Sequence, residues 1–168
     1  SLFAADNQLF EIIGFMNSPV LDFLKEIINP TVNTTAGVIS QLPYVPFSAS
    51  TLVRKNVDKM IKFARNDWDS YETSWDFIQN PMIRTQQPSL EQAFNTWQQQ
   101  NSDAVAEMKR LEEENNKLFI EAYGLQDELT PDVPDEQITL TRADREKDTQ
   151  RLVSYALGCM MGRYSLDE

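Results

Sequence analysis

Histidine is absent from this chain of 168 residues, and cysteine occurs once, as Cys159. Histidine is the commonest general base and the commonest metal ligand of enzymes, so its absence removes both roles at once. A single cysteine cannot form an internal disulfide and, without a histidine beside it, is a poor nucleophile. We therefore expect no catalytic residue and no metal site in this chain.

Glycine and long apolar runs are also scarce. Five scattered glycines cannot build a phosphate-cradling loop such as GxGxxG or a P-loop. No stretch reaches the roughly 18 apolar residues that a membrane-spanning helix requires, and residues 1–7 contain no basic n-region of a signal peptide. We therefore expect a cytoplasmic protein with no membrane partner, and no cofactor bound by this chain itself.

Positive charge is limited to 15 lysines and arginines, which leaves a formal net charge of -11. The segment charges are about -3 for residues 1–50, about +1 for residues 51–88 and about -9 for residues 89–168. Because a nucleic-acid-binding domain is usually basic, any contact with DNA is expected to be local.

The residues that are plentiful favour helices, since Gln, Glu, Asn, Leu and Met outnumber the turn formers. Apolar residues spaced three and four apart predict helices over residues 7–17, 19–28 and 50–65. We predict a mainly α fold with a short helical N-terminal piece, a long antiparallel helical hairpin and a C-terminal helix.

The longest predicted helix begins after Ser89, which forms a capping box with Gln92, and ends before Gly124. Residues 89–123 carry a heptad seam about 50 Å long, at 1.5 Å per residue. Asn101 and Asn115 occupy seam positions, where asparagines fix the register of a helix with a defined partner. The helix at 50–65 is the nearest candidate for that partner.

Two further segments complete the pattern. Residues 125–137 are acidic and contain two prolines, which predicts a loop, and Thr141 with Asp144 is expected to open the final helix. The predicted apolar face of that helix comprises Leu152, Ala156, Cys159 and Met160. Aromatic residues cluster earlier in the chain and are expected to pack as a cap over neighbouring helices, with stacking on bases as the alternative; they are Trp68, Tyr71, Trp75 and Phe77.

The best candidate for a binding site is the lysine stripe, Lys55, Lys59 and Lys62, on one face of the helix at 50–65. Three lysines could contact three DNA phosphates, which corresponds to a salt slope near -3 by counterion release. The alternative is a solvated face opposite a buried one. Asp58, together with Asp67 and Asp69 nearby, favours this alternative.

Long motifs resemble a known family. The run Lys117–Leu129, leading into Thr130-Pro131, and the run Tyr155–Asp167 closely resemble the C-terminal region of BREX-type (PglX-like) phage-defence adenine methyltransferases, and of related type IIG enzymes. Trp68–Phe77 fits the same region. Residues 9–46 resemble, more loosely, the end of a TaqI-like target-recognition domain.

The resemblance implies a longer parent enzyme that methylates adenine in duplex DNA with S-adenosylmethionine. Its catalytic Asn-Pro-Pro-aromatic loop, which holds a flipped base, would lie upstream. Asn29-Pro30 and Asn80-Pro81 lack the second proline and the ring, so we interpret both as helix stops. The implied segments are the end of the recognition domain (1–48), a helical spacer or hairpin (49–124) and a C-terminal loop and helix (125–168).

The expected function is therefore a non-catalytic helical part of an adenine methyltransferase that supports DNA target recognition, with duplex DNA as the parent's partner. Other proteins of the defence system are further candidate partners. Two other classes stay open: a coiled-coil protein interaction module without a DNA role, favoured by the seam and the acidic tail, and a DNA mimic, which the hydrophobic N-terminal third disfavours.

Overall fold

A computed structural model describes residues 6–28, 35–43, 45 and 50–164. These residues form seven α-helices and one short 3-10 turn, without a β-strand among them, so the predicted mainly α fold is confirmed. The helices are α1 Asp6–Met16, α2 Pro19–Ile28, α3 Ala36–Ile39, α4 Ser50–Trp68, α5 Pro81–Arg84, α6 Leu90–Tyr123 and α7 Arg145–Met160. Three parts of the sequence predictions lie outside the described residues: Asn29-Pro30, the positions 30–34, 44 and 46 of the recognition-domain resemblance over 9–46, and Ser165–Asp167.

The chain divides into two compact units, each made of two separate stretches. The first unit comprises Ser1–Ile61 and Met108–Ile138, and the second comprises Lys62–Glu107 and Thr139–Glu168. Helix α4 begins in the first unit and ends in the second, whereas α6 begins in the second and ends in the first. This opposite order is that of an antiparallel hairpin. The boundaries of the three segments implied by the resemblance stay a prediction.

The first unit is built around a core to which α1, α2, α4 and α6 contribute. Buried side chains on all four helices form it: Phe15, Val20, Val53, Val57, Phe119 and Ile120. The ring of Phe15 lies 5.8 Å from that of Phe119 and stacks at 5.6 Å on that of Tyr123, measured between centroids. The predicted pairing of α6 with the helix at 50–65 is therefore present in this core.

The buried Asn115 joins α6 to the end of α1. Its Nδ2 donates to the carbonyl of Gly14 at 3.0 Å, in the last turn of α1, where carbonyls lack an intrahelical partner. The next amide able to bond that carbonyl, Ser18 N–H, donates to Phe15 instead. A Cβ at residue 14 would lie 2.9 Å from Asn115 Oδ1 and 3.0 Å from Val53 Cγ1, so this contact requires glycine.

In the second unit, the seam residue Asn101 holds the segment before α7. Its Nδ2 donates to the carbonyl of Thr141 at 2.6 Å, and its Oδ1 accepts from Ala143 N–H at 3.0 Å. The hydroxyl and the amide of Thr141 donate to the Asp67 carboxylate at 3.1 and 3.3 Å. Both seam asparagines thus bond backbone groups outside α4. The expectation that they fix register against the helix at 50–65 is wrong.

The long helix has the predicted ends. The Ser89 hydroxyl accepts from Gln92 N–H at 3.3 Å, and Gly124 adopts a left-handed φ of 67°, which ends the helix after Tyr123. Asn80-Pro81, interpreted as a helix stop, instead starts α5: the Asn80 side chain accepts from Met82 N–H at 3.0 Å, and proline occupies the first helical position. That interpretation was wrong because asparagine and proline also form a favourable helix start.

Helix α7 begins later than predicted and buries a different face. Asp144 is its N-cap, accepting from Glu146 and Lys147 N–H at 3.1 and 3.0 Å, whereas Thr141 is held by Asp67. The face toward the protein carries Asp148, Tyr155 and Gly158. Ala156 and Met160, expected to be buried, are exposed. The prediction missed this face because it relied on the spacing of apolar residues. Asp148 is a polar residue on the buried face, where it is hydrogen-bonded to Trp97.

The cap at Asp144 makes the stability of α7 depend on pH. Hydrogen bonds from the Lys147 and Glu146 amides lower the pKa of Asp144 below 3.8. A carboxyl group whose pKa is lower in the folded state than in the unfolded state stabilises the fold at pH values above its unfolded-state pKa. This contribution is lost as pH falls through the folded-state pKa. We expect Asp144→Ala to lower the midpoint of thermal unfolding at pH 7, and the difference to shrink as pH falls through the folded-state pKa of Asp144.

Asp144→Asn is the matched control because asparagine caps about as well as aspartate without titrating. Its thermal midpoint should stay near that of the unmodified chain at pH 7. Circular dichroism melts across the acid range would measure both. An alanine deficit that is the same at every pH would contradict this account of the cap.

Candidate nucleic-acid interface

Helix α4 is a basic element in an acidic chain. Its 19 residues include Arg54, Lys55, Lys59, Lys62 and Arg65 against two aspartates, Asp58 and Asp67. All five cationic side chains are exposed, while Val53, Asn56 and Val57 are buried on the other side. The helix therefore presents a positively charged surface to solvent and an apolar surface to the core of the first unit.

The three predicted lysines share one face of this helix. Lys55, Lys59 and Lys62 follow one another at intervals of four and three residues, and each is exposed, so α4 brings them together along one side. Half-buried Asp58 lies beside them. This arrangement suits phosphate contacts and a solvated face equally well, so their DNA-binding role stays a prediction.

Sequence reasoning missed two cations on α4. Arg65 follows Lys62 by three residues, and its exposure extends the row of positive side chains by almost one turn. Continuing the three- and four-residue spacing by one more step would have found it. Arg54 has a different environment, since its guanidinium lies 5.4 Å from the centroid of the Phe10 ring in a cation–π contact.

Polar contacts hold α4 in place near both of its ends. In the first unit, Asn56 Nδ2 donates to Glu114 Oε2 at 3.0 Å. In the second, Asp67 accepts the hydrogen bonds from Thr141. The amide and the hydroxyl of Thr141 are neutral donors, so they do not cancel the negative charge of Asp67. That charge disfavours phosphate binding at this end of the helix.

Other kinds of site find little support in the part of the chain that the structure describes. That part contains no cluster of three or more side chains suited to hold a metal ion. It also contains no helix with the length and hydropathy needed to span a bilayer. Cys159 is half-buried on α7, and it neighbours Tyr155, whose pKa is raised chiefly by burial.

Comparison with known proteins identifies relatives of nearly the whole chain. It is 34% identical over 173 residues to the adenine-specific methyltransferase PglX of Lacticaseibacillus casei (strain Zhang), a match that covers 99% of this chain. It is 26% identical over 177 residues to the adenine-specific methyltransferase BrxX of Escherichia coli O9:H4 (strain HS), covering 95%. No family model matches the chain.

The chain spans about 14% of the length of each of these relatives. The resemblance inferred from the motifs is therefore confirmed: this chain is homologous to one segment of adenine-specific methyltransferases of the PglX and BrxX type.

Proposed function

We propose that this chain is a non-catalytic helical segment of an adenine-specific DNA methyltransferase of a phage-defence system, and that it supports DNA target recognition. Its homology to a segment of two adenine-specific methyltransferases supports the proposal that the longer parent protein is such an enzyme. The lack of histidine, of a glycine-rich cofactor loop and of an Asn-Pro-Pro-aromatic loop supports a role without catalysis. S-adenosylmethionine would be bound by another part of the parent enzyme.

The observation that carries the DNA role is the exposed basic face of α4. The face is continuous, because Lys55, Lys59 and Lys62 lie on one uninterrupted helix, and the first part of that helix is fixed in the core of the first unit. Lysines that neutralise phosphates release counterions, and three such contacts give a slope of log K against log salt of about -3. A helix anchored in this way can follow a DNA backbone without reading its bases, which positions other parts of an enzyme for sequence recognition.

The test compares two triple variants with the same change in net charge. Lys55, Lys59 and Lys62 are changed to glutamate in the first, and the exposed cations Arg110, Lys117 and Lys147, which lie off α4, are changed to glutamate in the second. Binding of a labelled duplex is measured by fluorescence anisotropy over a range of salt concentrations. Circular dichroism establishes that both variants are folded.

We expect the unmodified chain to bind weakly with a slope of about -3, and the α4 variant to lose that binding. The off-α4 variant should retain the slope, with affinity reduced only by the general increase in negative charge. Equal loss of binding in the two variants would show that net charge alone governs it, and would remove the lysine stripe from the proposal.

A protein interaction module without a DNA role is the second candidate. It is favoured by several large apolar side chains exposed in the second unit, among them Trp75 and Met161. If the chain does not bind the DNA duplex at low salt but does bind a protein ligand, the protein interaction module replaces the DNA role.

A further inference from the structure

A tryptophan projects into solvent from the segment between α4 and α5. Trp75 is fully exposed, and two other large apolar side chains nearby in the chain, Trp68 at the end of α4 and Ile78 in the segment, are 60% and 75% exposed. Tryptophan is enriched among the residues that contribute most to binding at protein interfaces, so a fully exposed tryptophan is a candidate for one. The prediction that Trp68 and Trp75 pack as a cap is wrong, whereas Tyr71 and Phe77 do lie partly buried.

The turn that carries Trp75 is internally braced. The Ser74 hydroxyl donates to Asp69 Oδ1 at 2.6 Å and accepts from Asp76 N–H at 3.1 Å. The ring of Phe77 packs edge-on against Tyr155 and Tyr164, with centroids 5.8 and 5.6 Å away. Trp75 is therefore presented by a structured turn between fixed neighbours, which reduces the entropy lost when a partner binds it.

The charge around Trp75 selects the kind of partner. Residues 67–80 contain Asp67, Asp69, Glu72 and Asp76 and no lysine or arginine. An acidic surface repels nucleic acid and attracts cationic groups. The exposed ring of a tryptophan is also the best aromatic partner for a guanidinium or ammonium group.

An open pocket of about 300 Å³ is lined by the same segment and by α7. Its walls include Tyr71, Glu72, Thr73, Phe77, Arg151 and Ser154. One oxygen of Glu72 accepts from the Ser154 hydroxyl at 3.0 Å, and the other is buried without a direct hydrogen bond among the described residues. The Tyr164 hydroxyl lies close to this carboxylate.

The only cation among the pocket-lining residues already has partners. Arg151 donates to Asp148 at 2.7 Å, and its guanidinium lies over the Tyr71 ring, 4.4 Å from the centroid. Glu72 is therefore the charged group of this pocket that lacks a cationic partner. A cationic side chain of a bound protein could pair with it.

We propose that the Trp75 turn, residues 69–78, docks a protein partner through a segment that combines arginine or lysine with apolar side chains. An apolar side chain and a cation of that segment pack on Trp75 and Ile78, and a second cation enters the pocket beside Glu72. The proposal does not depend on the DNA role of α4, because it uses a different surface and the opposite charge.

The test uses the full chain and short labelled peptides as probes. One peptide alternates arginine and leucine, and a second of equal length has glutamate in place of arginine. Binding is followed near physiological salt by anisotropy and by the NMR signals of the indole N–H groups of Trp68, Trp75 and Trp97. We expect the arginine peptide alone to bind and to move the Trp75 signal while leaving that of Trp97 unchanged.

Two pairs of variants separate docking from general electrostatics. Trp75→Ala should weaken binding of the arginine peptide about tenfold or more, whereas Leu90→Ala, an exposed apolar residue elsewhere in the unit, should not. Asp76→Lys should weaken binding far more than Asp103→Lys, which changes the net charge equally on the exposed face of α6.

Three results would overturn the proposal. The first is binding that Trp75→Ala leaves intact, and the second is a Trp75 signal that moves with duplex DNA in place of the arginine peptide. The third is self-association of the chain that Trp75→Ala abolishes, seen by sedimentation, since the turn would then be an interface between copies.

Discussion

Leu111→Ala is expected to lower the free energy of unfolding by about 2–5 kcal/mol. Leu111 is fully buried in the last half of α6, so the change removes apolar contacts and leaves a cavity in the first unit. Leu90→Ala is the matched control on the same helix, because Leu90 is 64% exposed and a surface change of this kind alters stability by no more than about 0.5 kcal/mol.

Urea unfolding measured in two ways would test this expectation and locate the effect. Circular dichroism reports on helices of both units, whereas all three tryptophans lie in the second unit. If the chain unfolds cooperatively, both signals shift together in Leu111→Ala. A loss in Leu111→Ala no larger than in Leu90→Ala would contradict the burial of this side chain.

Asn101→Ala is expected to lower the free energy of unfolding by about 2 kcal/mol or more, because it removes two short hydrogen bonds and leaves the Thr141 carbonyl and the Ala143 amide without partners. Asn95→Ala is the matched control, since Asn95 is exposed on the same helix in the same unit. Tryptophan fluorescence during urea unfolding measures both. Equal stability of the two variants would show that Asn101 does not hold the segment before α7.

Asn101→Asp separates the two hydrogen bonds. The aspartate keeps an acceptor for Ala143 N–H but places an oxygen against the Thr141 carbonyl, where asparagine had a donor. Protonation restores that donor, so the loss of stability should shrink as pH falls toward 4. A loss that is independent of pH would indicate that Thr141 moves away from the substituted side chain.

The sequence predicted helices more reliably than it predicted what each helix contacts. The ends of α6 were found from Ser89 and Gly124, because capping depends on residues next to each other in the chain. The partners of Asn101 and Asn115 were missed. Both lie at seam positions, as predicted, but a heptad pattern does not distinguish a facing helix from the backbone of a more distant segment.

The sequence predicted where the candidate interface lies, but it did not determine what the interface binds. The spacing of Lys55, Lys59 and Lys62 gave their common face on α4, because helical geometry follows from spacing. The exposure of Trp75 could not be predicted, since an aromatic residue near other aromatics is usually buried. Its position depends on the bracing of Ser74 by Asp69, a contact between polar residues that carries no periodic signal.

The way in which the two units are assembled limits how this part of the gene can be rearranged. Each unit draws on an early and a late stretch of the chain, with α4 and α6 passing from one to the other. A crossover between diverged genes at most positions in residues 50–123 would therefore combine stretches of different ancestry within both units. Related enzymes should consequently exchange the two units together, and chimaeras joined within α4 or α6 should be the ones that fail to accumulate in cells.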